Sequence, residues 1–359
     1  MNHAALFAIG AFAGSLCGAP IVISWLKTRG VLDVPNGRSS HVVATPRGLG
    51  IALCGSVVST SLTAVLVIDG ARNLAIVSAA ALGFAVVGLV EDIWGIDPKL
   101  RIVLQVLLAG SAMGVAVGIP TSTLAVVASV IGVFGVVAYV NAVNFMDGVN
   151  GISALHGIVV GLVWCLAGWR TPGTGFAAVG LLIAAGCAGY LPWNFPIARG
   201  FLGDVGSYFL GAWLGVGAIV GLQAQIAPAL VLAPLSIYLL DTGSTLMRRV
   251  ARKESLLTAH RGHVYQQLVR LGWSHGRSAG FVAALTIATT LLVSIQTWAG
   301  WSMAAVLGAL YLSSPLGVRV YLQNTTGSRV VALRPLAVEP VDLGRETVER
   351  DLAFDKRSA

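Results

Sequence analysis

The sequence predicts an all-α fold: a polytopic integral membrane protein with about eleven transmembrane helices, its candidate active site gathered on cytoplasmic loops. Three observations carry that prediction. Only 11% of the 359 residues are charged, against roughly 25% in soluble domains. Mean hydropathy is +0.83. Several runs of about 18 or more residues are nearly free of charge, the length that crosses a hydrocarbon core of about 30 Å.

The expected spans lie near 4–26, 47–68, 73–90, 101–119, 122–140, 152–169, 174–192, 206–222, 226–241, 278–297 and 299–317. These are continuous apolar runs rather than short alternating ones, which argues against a transmembrane barrel. No basic region precedes the first span, and Lys27 and Arg29 follow it. That pattern suits a retained span with its N-terminus outside. The interior segments are then 27–46, 91–100, 141–151, 193–205, 242–277 and the tail from 318. Almost every Lys and Arg falls in or beside them, with Arg72 and Arg170 on the outer side. The net charge of +8 thus describes a cytoplasmic face that attracts anionic lipid headgroups, not a nucleic-acid surface. Cys17, Cys54, Cys165 and Cys187 all lie inside spans, without metal-ligand spacing, and read as small core residues.

The acids are the informative residues. Before the tail they are Asp33, Asp69, Glu91, Asp92, Asp97, Asp147, Asp204, Asp241 and Glu254, and only Asp69 falls outside. A transporter would more often hold ionisable groups at mid-membrane. Here they sit in interior loops or at the inner ends of spans, with His41, His260 and His263, which favours a reaction at the cytoplasmic interface.

Five interior segments follow in order. In "DVPNGRSSHVVATPRGLG", Arg38, His41 and Arg47 with Thr45, Gly48 and Gly50 suit phosphate, because guanidinium forks onto phosphate oxygens; a basic loop meeting lipid is the plainer alternative. In "EDIWGIDPKLR", Glu91 and Asp92 repel each other and ask for a divalent cation, or else pair with Lys99 or Arg101. In "NAVNFMDGVNGI", Asn141, Asn144 and Asn150 frame Asp147 between Gly148 and Gly151, amides suited to a nucleobase edge or to a plain turn. In "LPWNFPIARGFLGDVGS", Asn194, Arg199, Phe201 and Asp204 precede a helix start with exposed amides that favours anions, unless Asp204 is simply its N-cap. In "TAHRGHVYQQL", His260 and His263 share a face if helical; with Arg261 they suit phosphate better than zinc, a pair of surface histidines being the plainer alternative.

In this order the five segments resemble the polyprenyl-phosphate N-acetylhexosamine-1-phosphate transferase family, glycosyltransferase family 4, over about residues 30–270. The resemblance implies transfer of a sugar 1-phosphate from a UDP-HexNAc to a polyprenyl phosphate, usually undecaprenyl phosphate in bacteria, with UMP leaving. It implies Mg²⁺, with Mn²⁺ as a substitute, and Asp204 as the metal ligand. Glu91 and Asp92 match the family's acidic pair, and Asn194, Phe201, Gly148 and Asn150 match the positions that hold uridine. His260 and His263 match the histidine motif that approaches the phosphates. The full candidate set is then Glu91, Asp92, Asp147, His260 and His263 for catalysis, with Asp204 for the metal. Arg38, His41, Arg47, Asn144, Gly148, Asn150, Asn194, Phe201 and Arg261 are the substrate-binding candidates.

Phosphoryl transfer asks mainly for positioning and charge neutralisation. The lipid phosphate attacks directly, or Asp92 first removes a residual proton. Three positions differ from the family's commonest pattern: Glu91 replaces Asp, Asn150 replaces Asp, and the last motif is His-Arg-Gly-His rather than three histidines. The last difference points to the branch that starts O-antigen-type glycans, with GlcNAc, FucNAc or QuiNAc donors. The resemblance also implies a bacterial inner membrane location and makes a homodimer plausible. Residues 1–317 are expected to form the membrane-embedded domain, and 318–359 a cytoplasmic, partly disordered tail without catalytic residues. The rival readings are a flippase for an anionic lipid-linked substrate and a scaffold that has lost catalysis.

Overall fold

The computed structural model describes residues 2–34, 43–67, 71–255 and 262–326, and each expected span falls on a helix. The chain begins with α1 (Asn2–Thr28), followed by two two-residue strands, β1 (Leu32–Asp33) and β2 (Thr45–Pro46), paired antiparallel. Next come α2 (Gly50–Val65), α3 (Arg72–Trp94), α4 (Pro98–Val117), α5 (Thr123–Met146), α6 (Ile152–Trp169) and α7 (Phe176–Asn194). The chain continues through α8 (Gly203–Gln223), α9 (Pro228–Leu232), α10 (Ser236–Ala251), α11 (Val264–Arg270), α12 (His275–Ser294) and α13 (Trp298–Thr326).

Among the described residues, ten helical segments are long and apolar enough to cross a membrane. The span expected at 47–68 is the exception. It is apolar but only 16 residues long, because the chain before Gly50 is drawn into main-chain bonds with residues 201 and 202. The span expected at 226–241 is also different in shape. It breaks into α9, a 3₁₀ turn at Ala233–Leu235 and α10, which runs ten residues further than expected. Pro234 explains the break, since it has no N–H to donate and its ring crowds the preceding turn. Helix α13 continues through Thr326, so it takes in the first residues of the expected tail; 327–359 lie outside the described residues.

Local capping follows ordinary chemistry at several starts. Asp97 accepts from Lys99 N and Leu100 N ahead of Pro98 at the head of α4, Ser122 caps α5, and Ser274 caps α12. Helices α1, α4, α5 and α13 leave most of their apolar surface outward, as lipid-facing helices do. Helix α8 is the reverse: 89% of its membrane window is buried. It lies in the middle, packed chiefly on α3 and α5, and its glycines admit backbone-to-backbone approach. Gly88 of α3 is pressed against the Asp204 carbonyl, leaving no room for a Cβ.

This contact is testable by substitution. Gly88→Ala is expected to destabilise the folded protein by about 1–3 kcal/mol through overpacking. Gly110→Ala, where a Cβ meets nothing within 4 Å, is expected to be neutral or to stabilise by up to about 1 kcal/mol. Thermal unfolding of both variants in detergent reads the difference.

Candidate active site

The C-terminal ends of α3 and α5 meet the N-terminal end of α8, and three polar side chains converge there. Helix α8 has no capping side chain of its own: its N-cap is Leu202. Asp92 of α3 supplies one from outside, accepting from Asp204 N at 3.0 Å and Val205 N at 2.9 Å. Its side chain is 1% exposed. The turn needs glycine at 203, where φ is +74° and a Cβ would meet the Asp92 carboxylate.

Arg47 ties the two acids together. Its Nε lies 2.9 Å from Asp92 Oδ1, and its terminal nitrogen donates to Asp204 Oδ2 at 2.9 Å. Burial lowers the affinity of the guanidinium for its proton, but Asp204 and Asp92 outweigh that, so the net shift is upward. Main-chain bonds carry Arg47 to this place. Phe201 N donates to Pro46 O, while Gly48 N and Leu49 N donate to Phe201 O and Gly50 N to Leu202 O. From α5, Asn144 donates to Asp204 Oδ1 at 2.7 Å and to Ser207 Oγ at 3.0 Å. Asp204 is thus held on both oxygens, and each oxygen keeps a second lone pair.

Asp147 ends α5 and accepts from Ser153 Oγ at 2.6 Å. Burial pushes its carboxyl up to about 6; the Ser153 hydroxyl pulls the other way, and repulsion from Asp204 and Asp92 adds to the rise.

Residues 74–222 match the family model described as glycosyl transferase family 4, a stretch that carries Asp92, Asn144, Asp147, Asn194 and Asp204. Over that stretch the chain is similar to glycosyl transferase family 4. It is 26% identical over 305 residues to a probable undecaprenyl-phosphate N-acetylglucosaminyl 1-phosphate transferase of Bacillus subtilis, covering 78% of this chain and 82% of that one. It is 28% identical over 289 residues to a decaprenyl-phosphate N-acetylglucosaminephosphotransferase of Mycolicibacterium smegmatis, covering 69% and 71%. A phospho-N-acetylmuramoyl-pentapeptide-transferase of Moorella thermoacetica is 33% identical, over 31% of this chain and 34% of its own.

The other expected residues divide by what they touch. Glu91 turns away from Asp92: it pairs with Arg101 at 3.1 Å and accepts from Ile96 N at 2.9 Å, holding the α3–α4 corner. Asn194 is buried, and both ends of its amide meet backbone, accepting from Gly151 N at 2.6 Å and donating to Gly200 O at 3.0 Å. Asn150 donates from its side chain to Pro196 O and from its main chain to His275 Nδ1. Gly148 lies against Tyr265 and Gln266. Phe201 contributes its backbone to the Arg47 segment. His263 is buried beside Asp241, Nδ1 to Oδ1 at 3.1 Å. Arg38, His41, His260 and Arg261 lie outside the described residues.

Several partners have no sequence signal that would single them out, Ser153, Ser207 and His275 among them. Asp241 did have one: an acid inside an apolar run is unusual enough to question. The expected use of the α8 amides for an anion also changes, since Asp92 already occupies those of Asp204 and Val205.

Two outcomes follow. Asp92→Ala is expected to destabilise the protein by about 2 kcal/mol or more, since it uncaps α8 and removes one of the two carboxylates that hold Arg47; denaturation in detergent measures it. For Asp147, folding raises the carboxyl from 3.8 to about 6, so the folded state binds the extra proton. Stability therefore falls as pH rises from about 4 to about 6 and is level above. Melting temperature across that window is expected to show the fall in wild type and a shallower one in Asp147→Asn.

Proposed function

We propose that this chain transfers N-acetylhexosamine 1-phosphate from a UDP-linked donor to a polyprenyl phosphate, undecaprenyl phosphate in a bacterial inner membrane. The donor is UDP-GlcNAc or a 6-deoxy relative such as UDP-FucNAc or UDP-QuiNAc, as the first membrane step of a cell-surface polysaccharide. The observation that carries this reading is the likeness, over most of the chain, to proteins named as polyprenyl-phosphate N-acetylglucosamine phosphotransferases. The site supports it: Asp204, Asp92 and Asp147 gather beside a partly exposed Arg47 at one end of the bundle. The charge distribution supports an inward-facing site, with the N-terminus outside and the C-terminus in the cytoplasm.

In the proposed reaction an oxygen of the lipid phosphate forms a bond to the sugar-bearing phosphorus of the donor. The bond from that phosphorus to the bridging oxygen breaks, and UMP takes the electron pair. The donor set fits Mg²⁺. Among the described residues no three acidic, histidine or cysteine side chains converge on one point, so Asp204 would serve as a single carboxylate ligand. Mg²⁺ is commonly held this way, by one or two carboxylates and substrate phosphates. When bound it would neutralise charge on the diphosphate and on departing UMP. Arg47 presents a guanidinium, 41% exposed at its side chain, of the kind that forks onto phosphate oxygens. Asp92 orients Asp204 through its backbone amide, and Asn144 sets its carboxylate plane.

The test offers purified protein undecaprenyl phosphate and a panel of UDP-HexNAc donors, with and without Mg²⁺, and follows UMP. Metal-dependent release is expected, and Asp204→Asn is expected to lower it on the order of 10²–10³-fold. Release that ignores both metal and Asp204 would refute the assignment.

A further inference from the structure

Asp241 lies inside a helical segment long and apolar enough to cross a membrane, is 0% exposed, and has no place in the transfer described above. Every partner it has among the described residues can donate to it. Val264 N approaches both of its oxygens, at 3.2 and 3.1 Å. The Tyr311 hydroxyl of α13 donates to Oδ2 at 2.6 Å, and the Thr245 hydroxyl, one turn along α10, to Oδ1 at 3.3 Å. His263 Nδ1 completes the set at 3.1 Å. A carboxylate buried this completely is retained at a considerable desolvation penalty unless so surrounded.

What it holds leads back to the site. His263 and Val264 begin α11. The His263 ring, 2% exposed, stacks on Phe145 at 6.0 Å and on Tyr265 at 5.9 Å. The Tyr265 hydroxyl donates to Phe145 O at 2.9 Å and lies against Gly148. Phe145 sits between Asn144, which holds the Asp204 carboxylate, and Asp147. One unbroken series of contacts thus runs from α13 through Asp241 to the start of α11 and on to the 144–148 turn.

We propose that Asp241 is a positioning residue. It touches no substrate. Through His263, Val264 and Tyr265 it sets where the 144–148 turn stands relative to Asp204. On this account His263 acts as a strut under the turn, and α13 takes part in the site through Tyr311. The kinetic consequence rests on the transferase reading; the structural one does not.

The experiment uses full-length protein in detergent and two variants, Asp241→Asn and the milder Tyr311→Phe. Hydrogen–deuterium exchange is read over 143–151 and, as a reference, over 205–215. Both variants are expected to exchange faster over 143–151 with the reference unchanged, Asp241→Asn the more. In transfer assays KM for the UDP-sugar is expected to rise roughly 10-fold in Asp241→Asn, as a displaced contact region implies, while KM for the polyprenyl phosphate stays within about twofold. Exchange that is unchanged over 143–151, or that rises equally everywhere, overturns the proposal. So does a lower kcat with both KM values intact, which marks a loss of folded enzyme alone. Should Asp241→Asn fail to fold, Tyr311→Phe carries the same comparison. An inactive wild type would sink the transferase reading and leave the exchange result to decide the role of Asp241.

Discussion

The carboxylate of Asp92, set against the first amides of α8, is the interaction on which the rest of the site depends. A buried helix start leaves donors unsatisfied unless a side chain takes them up. Asp92 satisfies two of those donors from a neighbouring helix. In doing so it fixes the rotation and height of α8 against α3 with one residue. The same carboxylate then attracts Arg47, whose second contact lands on Asp204. Ion pairing and helix placement therefore rest on the same three side chains.

The surroundings reinforce this arrangement by close approach. Gly88 and Gly203 bring backbone and carboxylate together where any Cβ would intrude. In a bilayer, packing and hydrogen bonding must do what the hydrophobic effect does in water. Around α8 both are present at the same few residues. The periphery is looser in kind, since α1, α4 and α13 turn most of their apolar surface outward. A rigid centre carries the acids, and a lipid-matched rim carries the hydropathy.

The fold was largely legible in the sequence because crossing a membrane demands long apolar runs, and these survive any detail of packing. The 3₁₀ break before α10 was signalled by Pro234, though it lies inside a run that reads as one span. The short α2 was not legible, since its start is set by a loop from the far side of the chain. At the site the gathering of acids at one end was legible, but their directions were not. Glu91 and Asp92 are adjacent, and about 100° of helix rotation separates them. One faces α8, and the other faces Arg101 of α4. Nothing local distinguishes the two. Asn194 shows the same limit: an amide beside a loop reads as a ligand donor, yet here its two ends close a backbone junction.

The main-chain pairing between Pro46–Gly50 and Phe201–Leu202 has a consequence for assembly. Arg47 and Asp204 stand 157 residues apart in the chain. A ribosome delivers α1 to α7 to the membrane before the partner of Arg47 exists, and domains form from the N-terminus as synthesis proceeds. Until then Asp92 has no helix to cap, and the α2 entry has no edge to join. The cluster of charge can close only when the eighth helix arrives between helices already inserted. The order of synthesis therefore places completion of the site late, and the α8 insertion event is the step that converts a bundle of apolar helices into one with a chemical face.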